Sequence, residues 1–159
     1  MDIVSPDVPS SGFLRAGEHY LPIRIYYEDT DAGGVVYHAN YLRYFERARW
    51  EMLALCGADH LAALHGGEGS YVVVEATLRY EKPARLGDRV TIVSRLIEVR
   101  ASSCVVQQKV MRGDALLVAG RIRVAFVAPG GKPRRQPAAW IAAFRNVMGR
   151  AEMGAASTE

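Results

Sequence analysis

Residues 26–50 gather two carboxylates, a pair of glycines and a histidine within ten positions: Asp29, Asp31, Gly33, Gly34 and His38. A carboxylate can act on an activated carbonyl as a general base toward water or by direct attack. Glycines let the backbone approach a ligand closely. Unpaired N–H groups at a helix start can polarise a developing oxyanion, aided by the helix dipole. An acidic glycine turn running into a helix therefore suits hydrolysis of an activated carbonyl. Each residue also has a plain reading. Asp31 and Asp29 are ordinary turn residues, His38 is a helix-start residue, and Tyr27 is a packing residue.

Two metal readings fail on spacing. A calcium loop beginning at Asp29-Thr30-Asp31 would need oxygen ligands where Gly33 and Asn40 stand. Asp59, His60 and His65 do not put both histidines on one helical face, so they read as a solvated helix end with no metal.

The elements that must hold the turn follow from periodicity. Residues 21–27 read as a strand and 28–36 as the turn. From Asn40, a plausible N-cap, Tyr41, Phe45, Ala48, Met52 and Leu55 recur at helical spacing. Arg43, Glu46, Arg47, Arg49 and Glu51 lie mostly off that stripe, with Arg47 and Glu51 able to pair at i, i+4. Gly57 is the stop signal, and residues 58–65 allow a short second helix. After Gly69 the period becomes two, with Val72, Val74, Ala76, Leu78 and Tyr80 on one face. Strands follow over 90–99, 103–112 and 116–127, with Gly113-Asp114 as a hairpin turn. Residues 137–150 read as a helix with Trp140, Ile141 and Phe144 on its apolar side. The fold class is α+β: an antiparallel meander of about five strands around one long helix, plus a C-terminal helix. A sheet covered by a single layer of helix needs another surface at its edge, which dimerisation supplies.

With 159 residues, 50% hydrophobic and 23% charged, the chain is read as one domain over residues 20–148 with flexible tails at 1–19 and 149–159. No apolar run approaches the roughly 18 residues of a membrane span, and the N-terminus lacks the apolar segment of a secretory signal. A net charge of +3, spread along the chain, does not make the dense basic stripe of a nucleic-acid binder. Cys56 and Cys104 sit in apolar contexts and read as reduced, buried thiols of a cytoplasmic protein.

The run Tyr27-Glu28-Asp29-Thr30-Asp31-Ala32-Gly33-Gly34-Val35-Val36-Tyr37-His38-Ala39-Asn40-Tyr41 resembles the signature of hotdog-fold acyl-CoA thioesterases of the 4-hydroxybenzoyl-CoA thioesterase group. Within that group it is most similar to the branch encoded with the Tol-Pal envelope system. The Glu46-Arg47-Ala48-Arg49 stretch and residues 80–88 and 132–134 extend the likeness over roughly residues 20–148. The resemblance implies a hotdog fold and subunits joined through a continuous sheet into dimers or tetramers, with the acyl-CoA site between subunits. It implies hydrolysis of a short- or medium-chain or small aromatic acyl-CoA to free acid and thiol, with no cofactor and no metal. Acyl carrier protein is a second implied carrier.

By position, Asp31 matches the family's catalytic aspartate, His38 the histidine of the Tol-Pal branch, and Tyr27 an active-site tyrosine. Gly34, Val35 and Tyr37 fall in the substrate-binding part of the signature. Arg100, Ser102 and Ser103 fall where relatives bind the nucleotide end of CoA. Lys132 and Arg134, with Arg135, are a second basic group for its phosphates. Two other readings stand beside this one. A 4-hydroxybenzoyl-CoA thioesterase is disfavoured by His38. A non-catalytic hotdog protein binding acyl thioesters or a partner is disfavoured by the intact Asp31.

Overall fold

A computed structural model describes residues 7–157. Residues 1–6 and 158–159, the outer parts of the two expected tails, lie outside the described residues. The elements in order are β1 (Phe13–Arg15), β2 (Glu18–Arg24), α1 (Asn40–Leu55), α2 (His60–His65), β3 (Ser70–Tyr80), β4 (Arg89–Val99), β5 (Ser103–Arg112), β6 (Ala115–Val127) and α3 (Ala138–Ala156). They make one six-stranded antiparallel sheet in the order β1-β2-β4-β5-β6-β3.

The amphipathic pattern from Asn40 forms α1 as expected. Its face carrying Tyr41, Phe45, Ala48 and Met52 is buried against Ile92, Leu96, Val110 and Ile122 of the sheet. Gly57 ends it at a φ of +99°, its amide bonded to Ala54 O at 2.9 Å. Leu55, expected on the buried stripe, is 44% exposed at the last turn. The long helix lies on β1, β2, β4 and β5, and α3 lies on β4.

Several expectations are corrected. Ordered structure begins before residue 20, because β1 pairs with β2 (Phe13 opposite Tyr20). It also continues past 148, because α3 runs to Ala156. Its second half is anchored by Ala151, which is buried where Gly17 passes so close that a Cβ there would meet Ala151 N at 2.4 Å. The first long strand ends at Arg24 rather than residue 27, and Tyr27–Asp29 form a 3-10 turn. The acidic residues there prefer to bond their own backbone rather than extend a ladder.

The meander holds for β4, β5 and β6, but β3 crosses to the far edge beside β6. A bulge between Val73 and Glu75 shifts its register. Tyr71 and Val73 therefore lie opposite Phe126 and Val124 and share their face of the sheet, rather than Val72 and Val74 as the simple alternation suggests. Ala76, Leu78 and Tyr80 keep the expected side, opposite Ile122, Gly120 and Val118. As an edge strand, β3 leaves Val72, Val73 and Val74 41%, 48% and 54% exposed.

Arg49 departs from the amphipathic reading. It is buried on the sheet side of α1, where Nη1 donates to Gln108 Oε1 at 3.0 Å and Nη2 pairs with Glu46. Gln108 Nε2 donates in turn to Phe45 O at 3.0 Å and Ser94 Oγ at 2.9 Å. This closed polar network fixes the rotation of α1 on β4 and β5. The observed ion pair on α1 is thus Arg49–Glu46 rather than Arg47–Glu51.

Candidate active site

The acidic turn is built by its own backbone. Asp31 Oδ1 accepts the Gly33 N–H at 2.8 Å, Gly34 N donates to Asp31 O at 3.1 Å, and Asp31 N donates to Val35 O at 2.9 Å. Gly34 has a φ of +74°, which a side chain would strain. The turn is stitched to the sheet by Val36 N–H donating to Ala84 O at 2.9 Å and by a bridge between Val35 and Arg85. The Asp31 side chain is exposed, with one oxygen committed to the turn.

Asp29 fastens that turn to α1. Its carbonyl accepts the Tyr37 N–H at 2.9 Å and the Asn40 side-chain amide at 2.8 Å, and its carboxylate accepts the Tyr26 N–H at 2.7 Å. Its expected turn-stabilising role is what the bonds describe. Asn40 is not the N-cap. Ala39 takes that position, and Asn40 is the first helical residue, its side chain reaching back to the turn. Among the described residues, the amides of His38, Ala39 and Tyr41 donate to no oxygen, so the start of α1 presents free N–H groups beside the turn.

His38 is exposed, its ring 4.5 Å from Tyr37 and 6.4 Å from Tyr80. The Tyr80 hydroxyl donates to His38 O at 3.2 Å, and the Tyr41 hydroxyl accepts the Ala84 N–H at 3.1 Å. A shallow cleft opens here between Val36, His38, Tyr41 and Tyr80. Burial is the main cause that raises the Tyr41 pKa, against the Ala84 amide. Tyr27 opens the 3-10 turn with its side chain 85% exposed. Tyr80 and Asn40 went unmarked in the sequence as site residues. Their roles come from hydrogen bonds across 42 and 11 positions, which no short motif encodes.

The two basic groups proposed for CoA phosphates meet at the opposite end of β3. The β4–β5 turn and the segment after β6 are joined by Gln136, whose N donates to Ala101 O at 2.8 Å and whose Nε2 donates to Arg100 O at 2.7 Å. Ser102 O accepts the Phe126 N–H at 2.8 Å. Arg100 pairs with Glu98, and Arg134 Nη1 donates to Gly67 O and Glu68 O at 3.1 and 2.6 Å, so Arg134 braces the loop before β3. Lys132 is exposed.

Beside that end lies a second cleft of about 140 Å³ between α1, α2, β3 and α3. His60 is its centre, and this corrects the solvated-helix-end reading. Its ring stacks on Trp50 at 4.6 Å and lies 5.8 Å from both Tyr71 and Trp140. Its Nε2 is buried without a hydrogen-bond partner among the described residues. Burial lowers the His60 pKa, against the pull of Asp59 and Glu46. The cysteines are free, and burial pushes Cys56 to about 11 and Cys104 to about 12, so neither is a ready nucleophile.

A glycine turn holding an exposed carboxylate against the free amides of a long helix wrapped by a sheet coincides with a family model. Residues 26–146 match the thioesterase-like superfamily. The chain belongs to that superfamily. This thioester hydrolase is 41% identical over 128 residues to the acyl-CoA thioester hydrolase YbgC of Escherichia coli, an alignment spanning 78% of this chain and 93% of that one. A probable thioesterase from Bartonella henselae superposes with a TM-score of 0.71 at 32% identity, over 76% of this chain and 99% of that one. The DHNA-CoA thioesterase of Staphylococcus aureus shares the fold, with a TM-score of 0.79 at 21% identity over 86% of this chain and 95% of its own. The architecture of this thioesterase is the hotdog: a curved antiparallel sheet around α1.

Proposed function

We propose that this thioesterase hydrolyses short- or medium-chain or small aromatic acyl-CoA to the free acid and CoA, with Asp31 as the reacting carboxylate and no metal or resident cofactor called on. The observation that carries the reading is the Asp31 turn tied by Asp29 to the open amide end of α1. Asp31 either takes a proton from the attacking water or adds to the carbonyl to form an anhydride that water then opens. The amides at His38, Ala39 and Tyr41 are donors for the oxyanion. When the C–S bond breaks, CoA leaves as a thiolate that the His38 side chain can protonate. The Escherichia coli relative is an acyl-CoA thioester hydrolase, which supports the substrate class.

The site is completed by a second copy. The apolar edge of β3 is a template for another strand. Two copies pairing antiparallel about a dyad through mid-strand bring the Tyr80 end of one against the Ser70 end of the other. Tyr80 holds the His38 backbone, while Ser70, Tyr71 and Val73 line the aromatic cleft. Each Asp31 turn then faces its partner's cleft, which takes the acyl group, beside Lys132, Arg100, Ser102 and Ser103 for the CoA phosphates. Acyl carrier protein is the alternative carrier. No described helix is long and apolar enough to cross a membrane, and two free thiols suit a cytoplasmic location.

Sedimentation of the purified chain tests this assembly, with a dimer or tetramer expected. A monomer that turns over acyl-CoA at full rate would overturn the intersubunit site.

A further inference from the structure

The lining of the aromatic cleft includes side chains from two helices that contribute nothing to the Asp31 turn. His60 comes from α2 and Trp140 from the first turn of α3. Their rings lie 5.8 Å apart, and Trp140 also meets Phe126 at 5.7 Å and Tyr71 at 6.3 Å. Trp50 of α1 stacks on the His60 ring. These are the edge-to-face and offset contacts of a packed aromatic cluster.

The start of α3 is also tied to the sheet. Gln136, four residues before Trp140, is 1% exposed and bonded to Ala101 and Arg100, and Tyr71 donates to the same Gln136 side chain. Trp140 N donates to Pro137 O at 3.0 Å. The backbone that carries Trp140 is therefore tied to the β4–β5 turn. The cleft, about 140 Å³, is well below the roughly 300–1,000 Å³ of pockets that enclose drug-sized ligands.

We propose that Trp140, backed by His60, is the residue that sets the upper limit of acyl length in this thioesterase. The inference rests on the reading that the cleft takes the acyl group. A short acyl group fills the cleft and stops at the indole, whereas a longer one must displace a packed ring cluster or leave methylenes in water. Each methylene that is buried or excluded changes transition-state binding by about 1–3 kcal/mol, so one wall residue can shift preference over several carbons.

The test is kcat/KM for butyryl-, hexanoyl- and decanoyl-CoA in the full chain and in Trp140→Ala, with thermal melting as a fold control. Removing the indole is expected to raise the decanoyl-to-butyryl ratio by at least about 10-fold. The change should come mainly through KM for decanoyl-CoA, with kcat for butyryl-CoA within about 3-fold of the parent. Trp140→Phe keeps an aromatic floor and carries the test if the alanine variant does not fold, with a smaller shift in the same direction. A folded variant with an unchanged chain-length profile, or with equal losses on all three substrates, overturns the proposal. Leu64→Trp, which adds bulk to the lining of the same cleft, distinguishes failure of the acyl site from failure of the length limit. If it leaves turnover of every chain length untouched, the acyl group is not held there and the underlying reading fails. If it abolishes turnover while Trp140→Ala leaves the profile unchanged, the cleft stands and only the length limit fails.

Discussion

Asp31→Asn is expected to lower kcat for acyl-CoA hydrolysis by at least about 100-fold, the scale of a lost acid–base group. The substitution is chosen because the side-chain amide oxygen can still accept the Gly33 N–H, so the turn keeps the bond that shapes it. What is lost is the ability to take a proton or to attack. Melting temperature should barely move, since the side chain is exposed. KM should change little if the pocket and the CoA contacts are untouched, which assigns the loss to the chemical step. His38→Ala should lose less, because a CoA thiolate leaves without needing an acid. Thiol release followed with saturating acyl-CoA makes both comparisons. Turnover by Asp31→Asn within a few-fold of the parent would move the reaction to another group.

Phe45→Ala should cost about 3–5 kcal/mol of stability, the usual range for removing a buried phenylalanine. Phe45 is 0% exposed and sits on the face of α1 that packs in the core. Its ring fills the space above Gly120, so tightly that a Cβ at Gly120 would fall 2.5 Å from Phe45 Cε2. The missing side chain at Gly120 and the ring at Phe45 are therefore complementary, and the wall is strand backbone that cannot collapse into the hole. The Phe45 carbonyl also accepts from Gln108, so a shift of the helix to fill the cavity would loosen the Arg49 network. The urea midpoint should fall accordingly, with the slope unchanged. A loss below about 1 kcal/mol would mean that α1 is not packed on the sheet in this way.

The sequence made the acidic turn and its helix legible because both are local. Asp31, Gly33, Gly34 and Asn40 lie within one stretch, and the stripe Tyr41–Phe45–Ala48–Met52 carries its own period. The Gly113-Asp114 hairpin was readable for the same reason: two residues join β5 to β6. What could not be read depends on partners distant in the chain. Nothing local says that β3 pairs with β6 rather than β4, since that choice is made by the whole sheet. Arg49 looked like a solvated charge because its acceptor, Gln108, lies 59 positions away on β5. His60 looked like a surface helix end because the rings that enclose it, Trp50, Tyr71 and Trp140, come from three other elements. The bulge at Val73 moved two residues across the sheet without leaving any mark in an apolar run of valines.

The same distant contacts separate the two halves of the site within one chain. Asp31 and His38 belong to the Tyr80 end of β3, and the aromatic cleft and Lys132 belong to its Ser70 end. The proposed dimer joins them across a two-fold axis, and mixing two defective chains tests that union directly. One chain carries Asp31→Asn and the other Leu64→Trp, a pair that serves once each variant alone has been assayed and has lost turnover. Unfolded together in equal amounts and refolded, they form mixed dimers in which one of the two sites pairs an intact Asp31 with an intact cleft. Thiol release should then recover to about a quarter of the parental rate under random pairing. No recovery, with mixed dimers demonstrated, would mean that carboxylate and cleft act within one chain or not together at all.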